Sequence, residues 1–78
     1  GQPVIPKDEF IRFLDHIGLE LKRIKDDHEV WNKKNPPPLL RPVIFWHSGN
    51  EIPLFHVKTN LKTLGMTLSQ YRKIVKKL

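Results

Sequence analysis

The chain has no cysteine, so neither a disulfide staple nor a thiolate metal site can support its fold. That absence fits a reducing compartment, and cytoplasmic residence is the expectation. No apolar run approaches the roughly 20 residues needed to cross a bilayer, and no signal-peptide pattern is present. Gly1, with no initiator Met before it, reads as a residue left by tag removal. There is no glycine-rich phosphate loop. Ser48 and Ser69 are the only serines and neither sits in a nucleophile-elbow pattern, so a Ser-His-Asp triad is not supported. The four histidines, His16, His28, His47 and His56, include no pair at i, i+4 helical spacing. A metal site is therefore not expected, and no cofactor is implied.

What is present is positive charge: 14 Lys plus Arg against 8 Asp plus Glu, a net of +6 on 78 residues. Such a length makes one small domain spanning residues 1–78, without room for a second core. The basic excess suits a polyanionic partner, either nucleic acid or an acidic protein surface, and equally a solvated surface with no partner.

Residues Gly1 to Ile5 read as a short extended lead-in. Pro6 suits the first turn of a helix, and Asp8 and Glu9 place negative charge at its positive end. Phe10, Phe13, Leu14 and Ile17 then fall at i, i+3, i+4 and i+7, the stripe of a half-buried helix that Gly18 stops. Leu19 to Lys25 loses the helical period and reads as a strand with Leu19 and Leu21 inward. Ile24 breaks its parity, which predicts a bulge near Arg23. Asp26-Asp27 supplies turn chemistry, and His28 to Lys33 is the second strand. There Val30 shares a face with His28, while Glu29, Trp31 and Lys33 occupy the other.

Lys34-Asn35-Pro36-Pro37-Pro38 cannot be sheet interior, because three prolines remove three N–H donors; it must protrude. Arg41 to His47 is the third strand. Phe45 and Trp46 fall on opposite faces of it, so at least one is core. Glu51-Ile52-Pro53 reads as the start of a second helix, with the stripe Leu54, Val57, Leu61, Leu64 closed by Gly65. A third helix opens at Thr67, where Thr-x-x-Gln to Gln70 has capping-box spacing. The order α-β-β-β-α-α, with helices on one face of a three-stranded antiparallel sheet, is an α+β two-layer sandwich. The other sheet face stays open for a ligand.

His28 is the residue with an unusual neighbourhood. Lys22, Arg23 and Lys25 lie just upstream, able to hold phosphate electrostatically, and Trp31 follows as a ring that can stack on a base. Imidazole has the side-chain pKa nearest neutrality, so His28 is either a proton-transfer group on a phosphate backbone or a satisfied strand histidine. His16 reads as a surface residue and His56, near the start of the second helix, as a capping or packing one.

The run Glu9-Phe10-Ile11-Arg12-Phe13-Leu14-Asp15-His16-Ile17-Gly18-Leu19-Glu20-Leu21-Lys22-Arg23, followed by Lys25-x-x-His28-Glu29-Val30-Trp31, resembles the HicA family of bacterial toxins. So do Arg41-Pro42-Val43-Ile44-Phe45, Glu51-Ile52-Pro53 and the segment from Lys58 to Met66, in the same order and over nearly the whole chain. The resemblance implies a double-stranded-RNA-binding-domain-like (dsRBD-like) fold, RNA cleavage independent of the ribosome, and neutralisation by a cognate HicB-like antitoxin; the leading expectation is a metal-independent endoribonuclease toxin acting on mRNA. It also implies that His28 is the active histidine, which would act as general acid or base; the second proton-transfer partner is unidentified, with His47 and water as candidates. The chain departs from the family pattern at the turn, where Gly-Ser or Gly-Thr is usual and Asp26-Asp27 stands here. Two carboxylates there would repel phosphate, and Asp26 shares a strand face with His28 if extended geometry begins that early. The Pro36-Pro37-Pro38 insertion is a further elaboration. Two non-catalytic alternatives stand beside the toxin: an RNA-binding module on the same scaffold, and a domain whose basic face docks an acidic protein.

Overall fold

A computed structural model of the chain describes residues 3–78; the expectation for Gly1 lies outside them. The elements follow the order β1 (Val4–Pro6), α1 (Lys7–His16), β2 (Leu19–Lys25), β3 (His28–Lys33), β4 (Val43–Trp46), β5 (Glu51–Pro53), α2 (Leu54–Thr63) and α3 (Leu68–Val75). The architecture is α+β, with β2-β3-β4 forming an antiparallel sheet and β1-β5 a separate two-stranded ribbon. Helices cover one face of the larger sheet. Phe10, Phe13 and Leu14 of α1, Val57 and Leu61 of α2, and Tyr71 of α3 form one core with Leu19, Trp31, Val43 and Phe45 of the strands. The Phe10 ring meets Phe45 edge-on at 5.5 Å and Phe13 meets Tyr71 at 4.7 Å. Tyr71 also donates its hydroxyl to Glu9 Oε2 at 2.7 Å, tying α3 to α1.

Two expectations are corrected. Glu51-Ile52-Pro53 is a strand rather than the first turn of a helix, and the lead-in residues Val4–Pro6 pair with it, Ile5 opposite Ile52. The reason lies in the helix ends. Both α1 and α2 begin directly after an Ile-Pro pair, without a side-chain cap. The first N–H groups of a helix have no intrahelical acceptor. In this fold Lys7 N–H donates to the Asn50 carbonyl and Leu54 N–H to the Pro3 carbonyl, at 2.9 and 3.0 Å. The ribbon caps both helices at once. The third helix is capped from within by the expected Thr67–Gln70 box, both of its hydrogen bonds being present.

Asp26 and Asp27 take φ of 51° and 62°, two successive left-handed residues between the paired Lys25 and His28. That is the requirement of a type I′ hairpin turn, which Asp meets better than most residues. Asp26 is therefore a turn residue, and the strand alternation that would align it with His28 stops short of it. Asp27 is engaged elsewhere: Ser48 Oγ donates to its carboxylate at 2.7 Å and His47 N–H to its carbonyl. The proline loop protrudes as expected but folds back, because Asn32 Oδ1 accepts from Leu39 N–H at 2.8 Å and Leu39 packs against the core. Among the described residues no helix is long and apolar enough to cross a membrane.

Candidate functional site

The bulge expected near Arg23 decides which side chains meet on the open face. Leu21 pairs with Trp31 and Arg23 with Val30, so Lys22 is the extra residue. Without the bulge, residues 19, 21, 23 and 25 would all point the same way, since side chains alternate along a strand. With it, Leu19 stays buried inward, while Arg23 and Lys25 turn outward beside Val30 and His28. Directly opposed side chains have Cβ atoms about 4.5–5.5 Å apart, which sets Lys25 next to the His28 imidazole. Lys22 is not delivered to that group by the register. Its ammonium lies 2.9 Å from Glu20 Oε2, an exposed local pair.

On the other flank His28 is opposite Trp46, and the two rings lie 4.2 Å apart at 30°. Trp46 is 48% exposed, Ile44 similarly so, and Phe45 between them is buried. The expectation that Trp31 stacks on a base is corrected: Trp31 pairs with Val43 on the helix-covered face and is buried there. Its Nε1 donates to Glu29 Oε1 at 2.9 Å. The outward tryptophan is Trp46, and parity alone could have chosen it once Val43 and Phe45 were taken as core.

Glu29 is a buried carboxylate surrounded by donors. Besides Trp31 it meets His47 Nδ1 at 3.0 Å and Lys7 Nζ at 3.2 Å through Oε2. Lys7 also donates to the His47 carbonyl. Burial pushes the Glu29 pKa upward, but the hydrogen bonds from His47, Trp31 and Lys7, with the Lys7 charge, outweigh it and hold the carboxyl below its ordinary value. His47 is thus turned to the inner side of the sheet, away from His28's face, and does not complete the His28 site.

The α2 helix supplies what His47 does not. Asn60 is buried, and its amide reads the free edge of β4 like a neighbouring peptide: Oδ1 accepts from Ile44 N–H at 3.2 Å and Nδ2 donates to the Ile44 carbonyl at 2.9 Å. This satisfies an edge that would otherwise be open and pins α2 against β4. Between them lies a cavity of about 230 Å³ lined by His28, Ile44, Phe45, Trp46, His56, Thr59 and Asn60. His56, read from sequence as capping or packing, is the functional candidate that sequence reasoning missed. The available signal was Asn60, a polar residue beside the apolar stripe of α2, one turn from His56 on the same helix face.

Among the described residues no cluster of three or more metal-ligating side chains is found. Comparison with family models, curated proteins and solved structures finds no match for the chain.

Proposed function

We propose that the protein is a cytoplasmic endoribonuclease acting on mRNA, the toxin half of a HicA/HicB-like toxin–antitoxin pair. The observation that carries this reading is the placement of His28: half-buried at the wall of a small cavity, opposite Lys25, on the sheet face turned away from the Trp31–Phe45 core. Arg23 and Lys25 attract the phosphates, and the exposed Trp46 ring stacks on a base in the role first given to Trp31. His28 takes the proton from a ribose 2′-hydroxyl or gives one to the departing 5′-oxygen. The chemistry is assigned to side chains, so cleavage proceeds in EDTA.

The HicB-like antitoxin would be an acidic partner, complementary to a chain of charge +6. A groove of about 700 Å³ between the proline loop and α2, lined by Leu39, Leu40, Arg41 and Lys62 among others, combines apolar and cationic groups suited to it. Expression of the chain should arrest growth, and a small acidic protein encoded beside it should relieve the arrest. Purified protein should cut labelled RNA in EDTA, and His28→Ala should abolish both effects while remaining folded. A second reading, RNA binding without cleavage, is favoured by the His28–Trp46 ring contact if that contact serves only to pack. It predicts salt-sensitive affinity and no cleavage products.

A further inference from the structure

Cleavage of RNA by side chains alone involves two proton transfers, one from the 2′-hydroxyl and one to the leaving 5′-oxygen. His28 accounts for one. His47 is hydrogen-bonded to Glu29 at the inner side of the sheet and does not line the cavity that His28 does. His56 lines the same cavity as His28, from the opposite wall. We infer that His56 is the second catalytic residue of this site, and that the pair acts on one unstacked nucleotide of single-stranded RNA. The inference rests on the endoribonuclease reading above and goes beyond it.

Three observations converge. The Asn60 amide fixes α2 to β4 by two hydrogen bonds on Ile44, and His56 lies four residues earlier, one turn along the same face. Each imidazole is backed by an exposed aromatic ring, His28 by Trp46 and His56 by Phe55, both at 4.2 Å between centroids. The cavity, about 230 Å³, is smaller than the roughly 300–1,000 Å³ of sites for drug-sized ligands. It has room for a single base or ribose phosphate beside the Trp46 ring and not for a duplex, whose stacked bases could not reach that ring. The charged residues adjoining the pair in register or sequence are Lys25 and Arg23 of β2, paired with His28 and Val30, and the exposed Lys58, two residues beyond His56 on α2, with Asp26 and Asp27 at the hairpin turn, Asp27 bonded to Ser48.

In the step, one imidazole, neutral, accepts the 2′-hydroxyl proton as the 2′-oxygen forms a bond to phosphorus. The P–O5′ bond breaks, and the other imidazole, protonated, delivers its proton to the departing oxygen. The products are a 2′,3′-cyclic phosphate and a 5′-hydroxyl. No metal or co-reactant enters the balance, and solvent exchange restores both rings.

The test uses the full chain on a single-stranded RNA oligonucleotide, and on the same oligonucleotide with sulfur replacing the bridging 5′-oxygen at the linkage the wild type cuts. A sulfur leaving group needs no proton. His56→Ala should lower single-turnover cleavage by about 10²- to 10⁴-fold with RNA affinity and circular dichroism unchanged. Of His28→Ala and His56→Ala, one and only one should regain its rate on the sulfur-bridged substrate. Should His56→Ala fail to fold, His56→Gln, close to it in volume, decides the point. Wild-type cleavage matched by a folded His56 variant, or rescue of neither variant by sulfur, overturns the role of His56 alone. Absence of cleavage by the wild type overturns the endoribonuclease reading beneath it.

Discussion

Alternate residues of β3 and β4 build two unlike surfaces. Inward, Glu29, Trp31, Val43 and Phe45 are buried, and the one charge among them is met by three donors. Outward, His28, Ile44 and Trp46 sit beside Arg23 and Lys25, and the imidazole is held by a ring contact rather than by a hydrogen bond to a carboxylate. Two histidines thus lie near one hairpin with opposite fates. His47 is part of a clamp joining α1, β3 and the loop after β4. His28 is positioned without being spent, which is the condition for moving a proton on something else.

The sharpest way to break this comparison is to truncate one tryptophan on each face. Trp31→Ala should cost about 3–5 kcal/mol, as large core truncations do, a large share of what a domain of this size has. Trp46→Ala should cost no more than about 1 kcal/mol and instead weaken RNA binding. Equal losses in urea denaturation would show that the outer face is structural too. Next in size is the carboxylate clamp. Glu29→Ala leaves Trp31, His47 and Lys7 without their acceptor and should cost about 3–5 kcal/mol. The same clamp has a pH signature. A carboxyl depressed in the folded state adds stability that is complete above its ordinary value of 4.5 and is lost as pH falls through its folded value. Wild-type stability should therefore fall more steeply below about pH 4.5 than that of Glu29→Gln, in denaturant titrations across pH. Asn60→Ala should cost about 1–3 kcal/mol by leaving the Ile44 peptide unpaired, and should lower cleavage further than that loss explains, because α2 carries His56. The smallest effect belongs to the outer cations. Arg23→Ala or Lys25→Ala should leave stability unchanged and reduce the slope of log affinity against log salt by about 1, whereas Lys22→Ala, paired to Glu20, should change that slope less.

Much of the frame was legible because local rules governed it. The α1 stripe, the Thr67–Gln70 box, the Asp-Asp turn and the bulge betrayed by Ile24 each depend on neighbours within a few residues. The ribbon was not legible, since β1 and β5 are three residues each, too short to show a period, and each ends in a proline that also starts a helix. The faces of β3 were assigned correctly by parity, but which one carried the exposed indole depended on the partner strand. His28 could be singled out from the lysines and arginine that precede it, although Lys22 proved to be the bulge. His56 had only the indirect signal of Asn60 one turn away, because its position depends on a side-chain hydrogen bond between Asn60 and a backbone sixteen residues away.

The most direct measurement is the rate at which purified protein cuts labelled single-stranded RNA in EDTA, wild type against folded His28→Ala. An outward imidazole that does the chemistry predicts cleavage by the wild type and a loss of about 10²- to 10⁴-fold in the variant. A variant that cuts as fast as the wild type, with its fold intact, would contradict it.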